Sequence, residues 1–169
     1  MAENSPFHQR EIGVIKVTHP EPANCTLRKW FTTVHKDFGN KDMSRGHVYN
    51  EWPTEVSAFL LQCLRDVTTK EVVKALSALK SGPAAYEELL GYYEWWLEKK
   101  PKPGWMEPTI ALDSVVLAER KGVLLVPQVP GMVKNPNWFN FPDLWLYPQK
   151  GPWPEKTCFL AVRGRGFED

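Results

Sequence analysis

The apolar positions of this chain change period along its length, and each change predicts a different element. The first ten residues are polar and aperiodic and read as a flexible tail. A β-branched run then spans Ile12 to Val17 and a second run spans Thr26 to Val34, with His-Pro-Glu-Pro-Ala-Asn between them as a turn-rich connector. The spacing predicts an N-terminal β-hairpin. From His35 to Asn50 the sequence is polar, contains glycine and has no period, so a loop is expected.

The middle third reads as helical. Val56, Phe59, Leu60, Cys63, Leu64 and Val67 fall within about 140° of one face at ~100° per residue, which predicts an amphipathic helix. Thr68 and Glu71 then have the Thr-x-x-Glu spacing of a capping box, which opens a second helix carrying Val72, Val73, Leu76 and Leu79 inward. Ser81-Gly82-Pro83 is expected to end that helix and begin a third, with Gly82 at the exit and Pro83 in the first turn. The third helix should run to Lys99, just before Pro101. On it Tyr86, Leu89, Leu90, Tyr92, Tyr93, Trp95, Trp96 and Leu97 spread over about 220° of the wheel, and Glu87, Glu94 and Glu98 share a narrow stripe. Packing on one side requires a narrower face than that. Trp95, at the edge of the arc beside Glu88 and Lys99, is the expected exposed member.

Farther on, Ser114 to Val126 reads as two strands joined by a turn at Glu119 to Gly122, apolar on both faces and so inside a covered sheet. The stretch from Pro127 to Pro154 is dense in proline and aromatics and reads as ordered, irregular chain with a short strand at Leu144-Trp145-Leu146-Tyr147. A last strand begins near Thr157. The order predicts an α+β fold: an N-terminal hairpin, a central three-helix segment, and C-terminal strands with a long Pro/Trp-rich irregular segment. One globular domain is expected over residues 11–163, between flexible tails at 1–10 and 164–169.

Composition adds three constraints. A chain of 169 residues with 43% apolar content can bury a core without disulfide or metal staples. Its 21 basic and 20 acidic residues lack the bulk positive charge that drives nonspecific nucleic-acid binding. Cys25, Cys63 and Cys158 are odd in number and far apart, so neither a CxxC metal pair nor a full disulfide set can be read from them. The N-terminus has neither a basic start nor an apolar run, and no stretch is of membrane-spanning length. The expectation is therefore no signal peptide, no membrane insertion, a cytoplasmic or nuclear location, and an unmodified Asn24-Cys25-Thr26 glycosylation pattern. Eight tryptophans and fifteen prolines exceed ordinary usage, and ten of those prolines lie between Pro101 and Pro154.

No local motif names a reaction or a cofactor. Asp37-Phe38-Gly39 lacks the companion motifs of kinases, and Ser77 to Lys80 lacks those of the Ser-x-x-Lys acyl-transfer enzymes. His35 and His47, with Asp37, offer general acid and base groups for a hydrolase or nuclease, although polar loops carry histidines without such a role. Trp138, Phe141, Trp145 and Tyr147 are close enough in sequence to wall an aromatic ligand pocket. Arg163 and Arg165, in Arg-Gly-Arg-Gly-Phe, resemble a fragment of an arginine-glycine RNA-binding segment. Trp95, Trp105 and Trp153 are candidate anchors for a protein partner, because a rigid ring buries much area at little entropic cost. The reading favoured is a non-enzymatic interaction or structural protein. It self-associates through the aromatic helix and the Pro/Trp-rich segment, with the enzyme, pocket and RNA readings as alternatives.

Overall fold

The computed structural model describes residues 4–18, 44–45, 51, 53–99, 107–117, 124–129 and 145–165. These build an α+β fold from two helices and a sheet whose pairings are antiparallel with one exception. In chain order the strands are β1 (Phe7–Val17), β2 (Ser44–Arg45), β3 (Thr54–Cys63), β4 (Ser81–Pro83), β5 (Thr109–Ile110), β6 (Ser114–Leu117), β7 (Leu124–Val129), β8 (Trp145–Pro148) and β9 (Cys158–Arg163). The helices are α1 (Thr69–Ala78) and α2 (Tyr86–Lys99). The sheet order is β1-β3-β9-β5-β7-β6-β2, with β4 also on β9 and β8 on β7. Strand β9 is therefore central: β3 pairs with it antiparallel, β5 parallel, and β4 antiparallel at its C-terminal end.

Three expectations need correction. The segment expected as a first helix is strand β3. Its residues Ala58-Phe59-Leu60-Leu61 are apolar without a break, and such a run contains helix-spaced positions by chance. Ala58 and Leu60 join Leu160 and Val162 in a core with α2, whereas Phe59 and Leu61 join Phe159 and Ala161 in a core with α1. A strand covered on both faces leaves no alternation to read. Second, Ser81-Gly82-Pro83 forms β4, and α2 begins only at Tyr86. Third, the strand expected at Ile12 starts at Phe7, inside the segment expected as a tail, and pairs with β3. Thr26 to Val34, the expected hairpin partner, lies outside the described residues. The antiparallel pairing of β6 with β7, the short strand at Trp145 and the strand after Thr157 form as expected, and the turn expected at Glu119 to Gly122 lies outside the described residues.

A bulge lets β1 serve both cores. Phe7 through Glu11 pair with Cys63 through Phe59, and the register shifts by one before Gly13 pairs with Ala58. Phe7 thus faces the α1 core, while Ile15 and Val17, of the same parity, face the α2 core. Gly13 adopts φ +98°, a conformation that side-chain-bearing residues reach only with strain. Phe59, Leu61, Phe159 and Leu160 are each at most 1% exposed. Each such burial stabilises the fold by roughly 1.5–3 kcal/mol. Among the described residues, no helix is long and apolar enough to cross a membrane.

Candidate functional site

Helix α2 is seated at its start by one local bond and one tertiary bond. The Ala85 N–H donates to Glu88 Oε2 at 2.6 Å, and the Tyr86 N–H donates to Ser114 Oγ at 2.7 Å. These bonds satisfy donors that the first turn of a helix leaves unpaired. Residues Tyr86 through Tyr93 are buried on every side of the helix. Trp95, Trp96 and Leu97 are only partly buried against the same core, and Glu98 and Lys99 are exposed. The aromatic arc thus runs from a closed interior to the surface.

Two ring pairs carry that arc outward. Tyr92 stacks on Trp95 with centroids 5.9 Å apart and planes 22° apart, and Tyr93 stacks on Trp96 at 6.4 Å and 9°. In each pair the tyrosine is almost wholly buried (4% and 1% exposed) and the tryptophan is at the boundary. The buried ring fixes its neighbour, so the surface indoles are held before any contact is made.

Beneath Tyr92 lies a polar cluster drawn from three strands and a connecting segment. Glu107 Oε2 accepts from Arg10 Nη1 at 2.9 Å, from Gln62 Nε2 at 2.5 Å, and from Cys158 Sγ at 3.5 Å. Arg10, Gln62 and Cys158 share the α2 face of β1, β3 and β9, as their pairing parity requires. Burial raises the pKa of the Tyr92 hydroxyl, with a further push from Cys158, while a hydrogen bond with Thr109 on β5 works in the other direction. Burial likewise raises that of the Cys158 thiol, and Glu107 adds to the shift. Burial pushes Tyr93 to about 12. Cys63, on the opposite face, is also pushed to about 12, by burial first and then by Glu71. Both thiols are free and stay protonated at neutral pH, the state of packing groups and not of nucleophiles.

The sequence candidates are scattered by the fold. Trp95 is at the surface boundary of α2. Trp153 is 4% exposed, meets Phe159 edge-on at 5.4 Å, and donates from Nε1 to Thr69 Oγ1 at 2.9 Å. It bridges to Val67 by backbone hydrogen bonds and serves the α1 core, in contrast to the exposed anchor suggested by its flanking prolines. Trp145 and Tyr147 sit on β8 opposite Gln128 and Val126. Arg163 pairs with Glu11, and Arg165 with Glu88. Trp105, Trp138, Phe141, His35, His47 and Asp37 lie outside the described residues. Among the described residues, no three His, Cys, Asp or Glu side chains are grouped to hold a metal ion.

Sequence reasoning missed the Glu107 cluster. Its members at positions 10, 62, 107 and 158 share no local motif, and only strand pairing brings them together. No protein-family model, curated protein or solved structure matches this chain.

Proposed function

We propose that this chain is a non-enzymatic interaction protein that associates with a second copy of itself through the C-terminal half of α2, helped by the Pro/Trp-rich segment. The observation that carries the reading is the pair of Tyr–Trp stacks that take aromatic surface from the core to the boundary. A pre-fixed indole loses little freedom when a partner covers it, which is why such rings dominate contact energies. Charge supports a homotypic contact. Glu94 and Glu98 stand on the same helix end as Lys99, so two copies packed antiparallel set each lysine against the other's glutamates. A two-fold contact requires this kind of self-complementarity, in which one patch meets its own image. The neutral Cys158 thiol and Tyr92 phenol favour a binding role over a catalytic one for this part of the molecule.

The test is the mass of the native protein by light scattering across a concentration series, with Trp95→Ala alongside. The proposal expects a discrete multimer that Trp95→Ala shifts toward monomer while the melting temperature barely moves. An assembly unaffected by Trp95→Ala, or a monomer at every concentration, refutes it.

A further inference from the structure

The two arginines of Arg163-Gly164-Arg165 reach opposite faces of the sheet. Arg163 ends β9, pairs with Glu11, and holds its guanidinium carbon 4.7 Å from the centroid of Phe59, on the α1 side. Gly164 then takes φ +71° and donates its N–H to the Lys80 carbonyl at 3.2 Å, which turns the chain. Arg165 crosses to the α2 side. Its Nη1 donates to Glu88 Oε2 at 2.8 Å, its Nη2 donates to Glu88 Oε1, and Nη1 also approaches the Pro83 carbonyl at 3.5 Å.

We propose that Arg163-Gly164-Arg165 is an intramolecular clasp whose Arg165 arm locks the start of α2 onto the sheet, so that the C-terminal segment controls presentation of the Trp95 surface. The last clause rests on the interaction reading above; the lock itself does not. Glu88 is 0% exposed and the Arg165 side chain 13% exposed, so this is a bidentate pair removed from water. The same carboxylate also receives the Ala85 N–H, which joins the helix start and the chain end in one bonded unit. Without the guanidinium, the buried carboxylate loses its bidentate charge partner, and opening of the helix start to hydrate it becomes favoured. The fit is close: a Cβ on Gly82 would stand 2.8 Å from both Arg165 Cγ and the Arg165 carbonyl oxygen. Displacing the clasp therefore needs no change in charge. Both arginines are already engaged within the chain, which gives the motif a role that does not require phosphate.

Hydrogen exchange resolved by segment tests the lock. In Arg165→Ala, exchange of the α2 amides should rise by roughly a hundredfold, while amides of β3 stay at wild-type rates. Gly82→Ala should produce the same helix-selective pattern more weakly. The Glu88→Gln, Arg165→Ala double variant, which removes the buried charge, should recover much of the protection. If Arg165→Ala fails to fold, Arg165→Lys carries the test, because it keeps the charge and loses the two-point grip. Equal acceleration in helix and sheet, or no change in either, overturns the clasp. Light scattering of the same variants separates the two proposals. Helix-selective exchange with unchanged assembly keeps the lock and removes its control of the surface. Lost assembly in Trp95→Ala with normal exchange supports the interaction reading independently.

Discussion

The two described helices cover opposite faces of the same sheet by different means. Helix α1 is specified locally. Thr68 accepts from the Glu71 N–H, Glu71 accepts from the Thr68 N–H at 2.7 Å, and Val72 and Leu76 point inward while Val73 stays exposed. Helix α2 is specified by the rest of the molecule. Its first turn is held by Ser114 and by a glutamate that depends on Arg165, and its first eight residues are buried all round. A helix of the first kind carries its own start signal. One of the second kind is only as stable as its surroundings, and it is also the one that brings aromatic rings to the surface.

Substitutions that separate these two modes should differ in size. The largest effect is expected from Arg165→Ala, which removes the charge partner of a buried carboxylate and should cost about 3 kcal/mol in the local opening free energy of α2, read by hydrogen exchange. Leu76→Ala, which opens a cavity under α1 where the side chain is 0% exposed, should cost about 2–5 kcal/mol. That loss should appear as uniform destabilisation of the fold. Thr68→Ala should cost about 1 kcal/mol, confined to α1.

The α1 cap also makes a pH prediction. The Thr68 backbone N–H, followed by Arg65, lowers the pKa of Glu71 below its ordinary value. A carboxyl lowered by folding stabilises the native state fully above its unfolded value, and that stability is lost as pH falls through the folded value. The wild-type advantage over Glu71→Gln should therefore shrink on acidification, in paired melts across the acidic range. The smallest stability effect, under about 1 kcal/mol, is expected for Trp95→Ala, although its effect on assembly should be large. A native-state thiol titration completes the set. Cys63 and Cys158 are 1% and 0% exposed and should react only on unfolding, and rapid labelling of either would contradict their placement.

Legibility in the sequence follows the same division. The Thr68–Glu71 box, Val72 and Leu76 of the α1 stripe, and the β6–β7 pair each rest on short-range chemistry and could be read directly, whereas Val73, expected to face inward, is exposed. Strand β3 could not: Val56, Phe59, Leu60 and Cys63 have helix spacing only because both faces of that strand are covered. Ser81-Gly82-Pro83 carries helix punctuation, yet pairing with Arg163, Val162 and Ala161 on β9 makes it a strand. At the candidate site, the width of the α2 aromatic arc is legible in the sequence, whereas Trp95, expected as its exposed member, is partly buried like Trp96 and Leu97. The Arg10–Gln62–Glu107–Cys158 cluster and the Glu88–Arg165 pair were not, since each joins residues far apart in the chain. Arg163 and Arg165 look like a tail motif until the sheet gives each a carboxylate partner.

The most direct test of the interaction reading is the absolute mass of the native protein by light scattering on a sizing column, wild type beside Trp95→Ala, over a dilution series. A discrete multimer in the wild type that falls to monomer in the variant, with both chains melting at nearly the same temperature, is the result expected. A wild-type monomer throughout, or a multimer indifferent to Trp95, would contradict the assignment of the α2 surface as the site of assembly.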